Sequence, residues 1–328
     1  MTKAANTQGD AKHDMKVGVL GSRHETFIND IISNLSGVEV EFLSFHQQPA
    51  PISGHHRVIV DRASFCHTFL KEIMKNLALS GTYIINNPFS ATATNKLIDL
   101  GIGSALGISF PKTFVLPGAN PTEETEEWIK EPMWERIIDE VGLPCILKPF
   151  DGYAWTNVHT INSLEELERV YYSISPSQVM LVQKLIRYED YYRAFCFSKK
   201  DVLFVKWVPK PFSMGQYFYS DLKPIENMKD TLTKLTIDLN ICLDLDVNAV
   251  EWCIDKDGHP WIIDAFNEVP EINKEALPEA YYDWMVQKFV ECIEDKLDGD
   301  QRNKTVFLLQ EGLNERLFRI YPPSHLRT

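Results

Sequence analysis

Residues 248–267 read NAVEWCIDKDGHPWIIDAFN. Two apolar runs flank Asp257-Gly258, a strong short-range hairpin signal, so the stretch folds back as two antiparallel strands. That turn makes Glu251 and Asp264 near partners. Two carboxylates facing one cleft repel each other unless a cation sits between them. Carboxylate oxygens, joined by the amide of Asn267, suit Mg2+, which keeps its other positions for water and phosphate. The alternative is a solvent-facing pair on an edge strand. Asp264 speaks against it: the residue follows Trp-Ile-Ile and precedes Ala-Phe, and a charge inside so apolar a strand is rarely idle.

The cations to balance such a centre lie upstream. Lys148 ends the apolar run PCIL (144–147), and the loop DGYAWTN (151–157) follows. A lysine there can hold a phosphate as a point charge. Lys96 falls inside an apparent helix (SATATNKLIDLGIGSAL, 90–106), and Arg193 falls inside YYRAFCF (191–197). Each alone is more often a snorkelling surface residue. Together, three cations and a carboxylate pair at one cleft make a site for a nucleoside triphosphate and its metal. QKLI (183–186) ends a strand and crosses between lobes. Its backbone could pair with a heterocycle edge while apolar neighbours sandwich the ring, or it could be a plain hinge.

Composition limits the rest. The chain has 328 residues, enough for two or three lobes. Lys+Arg number 33 against 46 Asp+Glu, a net charge of −13. A protein that binds nucleic acid through phosphates wants the opposite sign over a broad face, so no nucleic-acid partner is expected. A local basic pocket survives that argument. Six cysteines form no CxxC pair. They read as reduced thiols, mostly in the core of an intracellular protein. No apolar run approaches the ~18–20 residues of a membrane span, and the polar first fourteen residues hold no secretory apolar segment. A cytoplasmic protein without a membrane partner is expected.

The element pattern begins with strand KVGVL (16–20), a helix over 24–35, strands at VEVEFLSF and RVIVDRA, one helix over 64–79 and strand TYIINNP. Strand–helix alternation implies a parallel sheet with helices on it. Hairpin-rich α+β lobes follow. One carries Lys148 and Gln183; the other carries Arg193, Glu251 and Asp264. Ser163 with Glu166 three residues on reads as a capping box. The last long helix is EAYYDWMVQKFVECIEDKL (279–297).

Taken in order, Asn86-Asn87-Pro88, Asn95-Lys96-Leu97, GISFPKT, ILKPFDGYAW, VQKLI, YYRAF, VEW and IIDAFNEVP resemble the ATP-grasp superfamily, especially bacterial carboxylate–amine ligases. The resemblance spans about Lys16 to Leu297. It implies a mixed α/β and α+β chain, an ATP-grasp fold of two α+β lobes preceded by a pre-ATP-grasp α/β lobe. The expected limits are a disordered N-terminus (1–14), the pre-ATP-grasp domain (15–117), the small lobe with its connector (118–186), the large lobe (187–298) and a tail (299–328). The resemblance gives Lys96 and Lys148 to the ATP phosphates, and Asp151, Gly152 and Trp155 to the loop that closes over them. Gln183, Lys184, Leu185 and Ile186 match the adenine linker, with Asp190 beside the ribose position that Tyr191 occupies. Arg193 and Lys148 match catalytic cations. Glu251, Asp264 and Asn267 match the Mg2+ ligands.

The sequence also departs from that pattern. The loop is poor in glycine, and Asp264 and Asn267 are spaced more widely than the usual metal pair, which leaves Glu268 as a substitute. Ala249 stands where some ligases have arginine.

The resemblance implies ATP and Mg2+ as cofactors. It further implies activation of a small-molecule or peptide carboxylate as an acyl phosphate and its joining to an amine. A phosphotransferase acting on a hydroxyl and a non-catalytic ATP-binding protein are the alternatives. Arg23, Lys206, Lys210 and the SMGQYF loop (213–218) are candidate acceptor contacts, and a homodimer is an open question.

Overall fold

The computed structural model describes residues 16–93, 95–118, 127–152, 156–174, 178–208, 216–219, 222–299 and 303. Four short parallel strands open the chain: β1 (Lys16–Leu20), β2 (Glu39–Phe42), β3 (Val58–Asp61) and β4 (Tyr83–Ile85), in the order β2-β1-β3-β4. The apolar runs of β1, β3 and β4 are buried on both faces, as a sheet covered on two sides requires, while the edge strand β2 alternates exposed and half-buried residues. Helix α1 (Thr26–Asn34) turns Phe27, Ile28 and Ile31 onto one face, and α2 (Thr68–Leu79) turns Ile73, Met74 and Leu77 onto the other.

Two expected helices are each broken by a capping side chain. His67 is extended at φ −146° and accepts the Phe69 N–H, which separates a 3-10 turn (Ser64–Cys66) from α2. Asn95, at φ −157°, accepts the N–H groups of Leu97 and Ile98 and so separates α3 (Pro88–Ala93) from α4 (Lys96–Ala105). Asparagine competes for backbone donors in this way and starts helices rather than continuing them. Lys96 is therefore the first residue of a helix, not an interior one.

The second sheet holds β5 (Thr113–Leu116), β6 (Cys145–Pro149), β7 (His159–Ile161) and β8 (Met180–Lys184) in the order β5-β8-β6-β7. Every pair is antiparallel. Strand β5, read from sequence as the end of the first unit, pairs instead with β8. Helices α5 (Trp134–Val141) and α6 (Leu164–Ser173) share an apolar cluster with this sheet. Ser163 caps α6 through the Glu166 N–H, but the Glu166 carboxylate returns to Asn162 rather than Ser163.

The third sheet has the order β11-β10-β9-β12-β13. Its members are β9 (Tyr188–Phe197), β10 (Asp201–Val208), β11 (Gln216–Phe218), β12 (Val247–Asp255) and β13 (Pro260–Asp264). Alternation sorts it into two faces. Ala194, Val250 and Trp252 meet α4 and α7 (Lys229–Leu243), while Phe195, Phe197 and Ala249 meet α8 (Glu279–Asp298). Helix α8 also touches α1 through Phe27, whose ring meets Phe289 edge-on at 5.7 Å. One helix thus closes the first sheet and the third into one core.

Asn86 stitches the same junction. Its amide donates to the carbonyls of Val247 (2.7 Å) and Glu268 (2.8 Å), and its oxygen accepts the Val247 N–H (2.8 Å). Asn86→Ala would leave buried backbone groups without partners, at a cost of about 2–4 kcal/mol. Urea denaturation is expected to show that loss; a change below about 0.5 kcal/mol would mean the junction is not held this way.

Candidate functional site

The expected hairpin forms, and Glu251 is the register partner of Asp264, with a bulge in the pairing just beyond Glu251. Glu251 is also the register partner of Arg193 on the other side. Arg193 donates from Nε (3.1 Å) and Nη2 (2.8 Å) to Glu251 Oε1. Tyr191 donates to Oε2 at 2.6 Å. The guanidinium lies over the Trp207 ring, 3.8 Å from its centroid, and its Nη1 donates to the Tyr217 hydroxyl at 2.6 Å. A planar cation fixed on an aromatic face loses little freedom when it binds a second group.

Lys96 and Lys148 arrive from other elements. Lys96 Nζ lies 3.1 Å from Asp264 Oδ2 and donates to the Gly152 carbonyl at 3.0 Å. Its backbone N–H donates to the Phe150 carbonyl, so the start of α4 is tied to the loop after β6. Burial works against the Lys96 charge, yet the Asp264 carboxylate outweighs it and holds the pKa above the usual lysine value. Lys148 reaches from β6 to the Ile263 carbonyl on β13 at 3.2 Å. It is 7% exposed. Burial pulls its pKa down to about 8, although Asp264 and Glu251 pull the other way.

One member of the cluster escaped the sequence. Asp99 lies one helical turn after Lys96, is 1% exposed, and among the described residues neither of its oxygens has a hydrogen-bond partner. Burial, reinforced by the Asp264 charge, pushes its pKa well above the usual carboxylate range. Only its spacing from Lys96 could have signalled it.

Other predicted residues are placed variously. Asn267 donates its amide to the Ala249 carbonyl at 2.8 Å, which leaves Oδ1 as the atom a cation could take. Glu268 lines a separate hollow with Asp61, Lys71 and Asn86, and burial raises its pKa to about 7. Gln183 is buried, and its amide donates to Thr113 Oγ1. The Lys184 N–H donates to the Lys112 carbonyl, after which Leu185 and Ile186 leave the sheet. Asp190 pairs with Lys206 at 2.5 Å, so these two satisfy each other at the β9–β10 edge. Tyr191, which stands at the ribose position of the sequence pattern, is buried with its hydroxyl on Glu251. Arg23 lies over the Phe42 ring, 4.7 Å from its centroid. Asp151 and Gly152 begin the loop after β6, while Trp155, Lys210 and residues 213–215 lie outside the described residues. Of the six cysteines, Cys66 is exposed and Cys145, Cys196, Cys253 and Cys292 are buried. Among the described residues no helix is long and apolar enough to cross a membrane.

No family model matches the sequence, and no curated protein matches it. Solved structures do. A D-alanine–D-alanine ligase from Bacillus anthracis aligns at 15% identity and a TM-score of 0.63, covering 91% of this chain and 99% of its own. A RimK domain protein of ATP-grasp type from Sphaerobacter thermophilus DSM 20745 aligns at 19% identity and 0.63, covering 87% and 100%. The macrocyclase MdnC from Microcystis aeruginosa MRC, solved with its precursor peptide MdnA, aligns at 15% and 0.59, covering 84% and 98%. The chain has the ATP-grasp fold.

Lys148 supplies a direct check of this geometry. With a folded pKa of about 8 it is neutral above that pH, whereas an unfolded lysine stays charged to about 10.4. Between those values the unfolded chain binds the extra proton, so stability rises with pH through this group. Wild type is expected to gain stability relative to Lys148→Met between pH ~8 and ~10 in urea melts. A constant difference across that window would mean the ammonium is solvated.

Proposed function

Starting from the ATP-grasp fold, we propose that the chain is an ATP-dependent carboxylate–amine ligase. What carries this reading is the meeting of Lys96 and Lys148, from two different elements, at the end of β13 beside Asp264, with Arg193 and Glu251 on the adjoining strands. Charges drawn this far out of water need close partners, and a triphosphate with its cation supplies them.

Mg2+ suits the donors. Asp264 and Glu251 offer hard carboxylate oxygens side by side, and Asn267 Oδ1 is a third candidate. When bound, the ion neutralises charge on the phosphates. On this reading Lys96 and Lys148 turn from Asp264 and the Ile263 carbonyl to phosphate oxygens. Arg193, steadied by Trp207 and Tyr217, holds the group being transferred. Asp151 and Gly152 begin the cover over the phosphates. The chain after Gln183, through Lys184, Leu185 and Ile186, receives the adenine. Asp190 is the ribose candidate, and would have to release Lys206 to serve.

A carboxylate is a poor acyl donor because it has no adequate leaving group. Its oxygen attacks the γ-phosphorus, the bond to the β–γ bridging oxygen breaks, and ADP departs. The amine nitrogen then adds to the acyl carbon, phosphate leaves, and the amine proton passes to phosphate or water. Fixed cations favour both steps by meeting charge where it develops, without reorganising. The bacterial ligases and the peptide macrocyclase that share the fold support a peptide or small-molecule carboxylate and an amine as the substrate classes.

The test is ADP release with a panel of carboxylates and amines, with the product weighed by mass spectrometry. Amide formation is expected, with turnover falling roughly 100-fold or more in Lys148→Ala and Asp264→Ala. Undiminished turnover in both variants would remove the assigned roles. A phosphoester product without amide would make the protein a phosphotransferase instead.

A further inference from the structure

We propose a second metal site, built from residues outside the carboxylate–lysine cluster, that takes Zn2+ or a similar borderline-soft divalent ion on Glu41, His55 and His56. The ligand atoms of these three residues lie within 4.8 Å of one another. His56 Nε2 is 3.2 Å from Glu41 Oε2, and His55 Nε2 is 3.6 Å from the same oxygen. The first distance suits a hydrogen bond, but the second is too long for one. Both, however, match the edge of a tetrahedron around zinc, about 3.3 Å for bonds of ~2.0–2.1 Å. The two imidazoles stand 4.2 Å apart, centroid to centroid, so two neighbouring side chains have turned the same way toward one point. His56 is buried, and its carbonyl accepts the Thr82 hydroxyl, which fixes the backbone that carries the ring. Glu41 and the exposed His55 leave a side open for water as a fourth ligand. Lys16 on β1 opposes a cation here, but its ammonium pairs with Glu39 on β2.

The connection these residues close gives the ion a purpose. Strands β2 and β3 are both parallel to β1 and lie on opposite sides of it, so the chain must cross over between them. Such crossovers are usually helical. Here residues 43–57 contain neither helix nor strand. Irregular connections of ~12–15 residues are uncommon in compact domains unless they have a function. Glu41 stands just before this segment and His55 and His56 at its end, so one ion would clip the crossover shut, an economical place for a cross-link. Leu43, Phe45 and Ile52 already anchor the segment on the core around Ile59 and Met74.

Tag-free full-length protein is equilibrated with Zn2+ in buffer holding excess Mg2+, dialysed, and its metal content measured. Binding of Co2+ is followed separately by its visible absorption. One zinc per chain, a tetrahedral Co2+ spectrum and a melting temperature raised by zinc are expected. Glu41→Gln and His55→Ala alter exposed side chains, so both variants should fold. Each should weaken binding roughly tenfold or more and abolish the thermal shift. Absence of stoichiometric zinc in the wild type, or equal binding in both variants, would overturn the site. Neither readout depends on ATP turnover, so failure here and failure of the ligase assignment are separate results.

Discussion

Ionised groups buried where sheets meet must be compensated, and that requirement organises this molecule. Moving an ion out of water costs several kcal/mol even after relaxation, so isolated charges are not tolerated there. Around the end of β13 the chain supplies Lys96, Lys148 and Arg193 against Asp264 and Glu251, while Asp99 is pushed toward its neutral form. Three cations thus stand against the pair Asp264 and Glu251. Such a surplus, held in place by strand pairing and an aromatic face, suits an anionic ligand that brings its own cation.

The frame that holds these charges is non-local. Lys148 comes from the second sheet, Lys96 from a helix packed on the third, and their partners Ile263 and Asp264 from a hairpin 115 and 168 residues later in the chain. Helix α8 returns from the far end of the chain to fill the layer between the first and third sheets, and Asn86 ties their edges. The second sheet reaches the junction through Lys148 and through the Phe150 and Gly152 carbonyls that receive Lys96. Nucleotide binding would compete with these very contacts. The cross-lobe bridge is therefore the part of the structure whose partners are expected to change.

Local chemistry was legible in the sequence. Asp257-Gly258 between apolar runs set the hairpin, and with it the pairing of Glu251 with Asp264. The ordered motifs carried the fold. What could not be read is what depends on distant pairing. Strand β5 belongs to the second sheet only because β8 lies beside it. The Arg193–Glu251 bridge follows from the β9–β12 register, which no local pattern encodes. The burial of Asp99 follows from the packing of α4 on the third sheet, which no local pattern encodes. The break at Asn95 was hidden because apolar spacing continues across it, although asparagine just ahead of a helix is a cap signal. Glu41, His55 and His56 have no metal-binding spacing and meet only through the crossover.

The central claim is that the lysines, Arg193 and the Glu251–Asp264 pair form one receptacle for a metal-bound triphosphate. A crystal structure with Mg2+ and a non-hydrolysable ATP analogue tests it most directly. The account predicts Mg2+ on Asp264 and Glu251, phosphate oxygens on Lys96 and Lys148, and the base against residues 183–186. A nucleotide bound elsewhere, with Lys148 still on the Ile263 carbonyl and Lys96 still on Asp264, would contradict it.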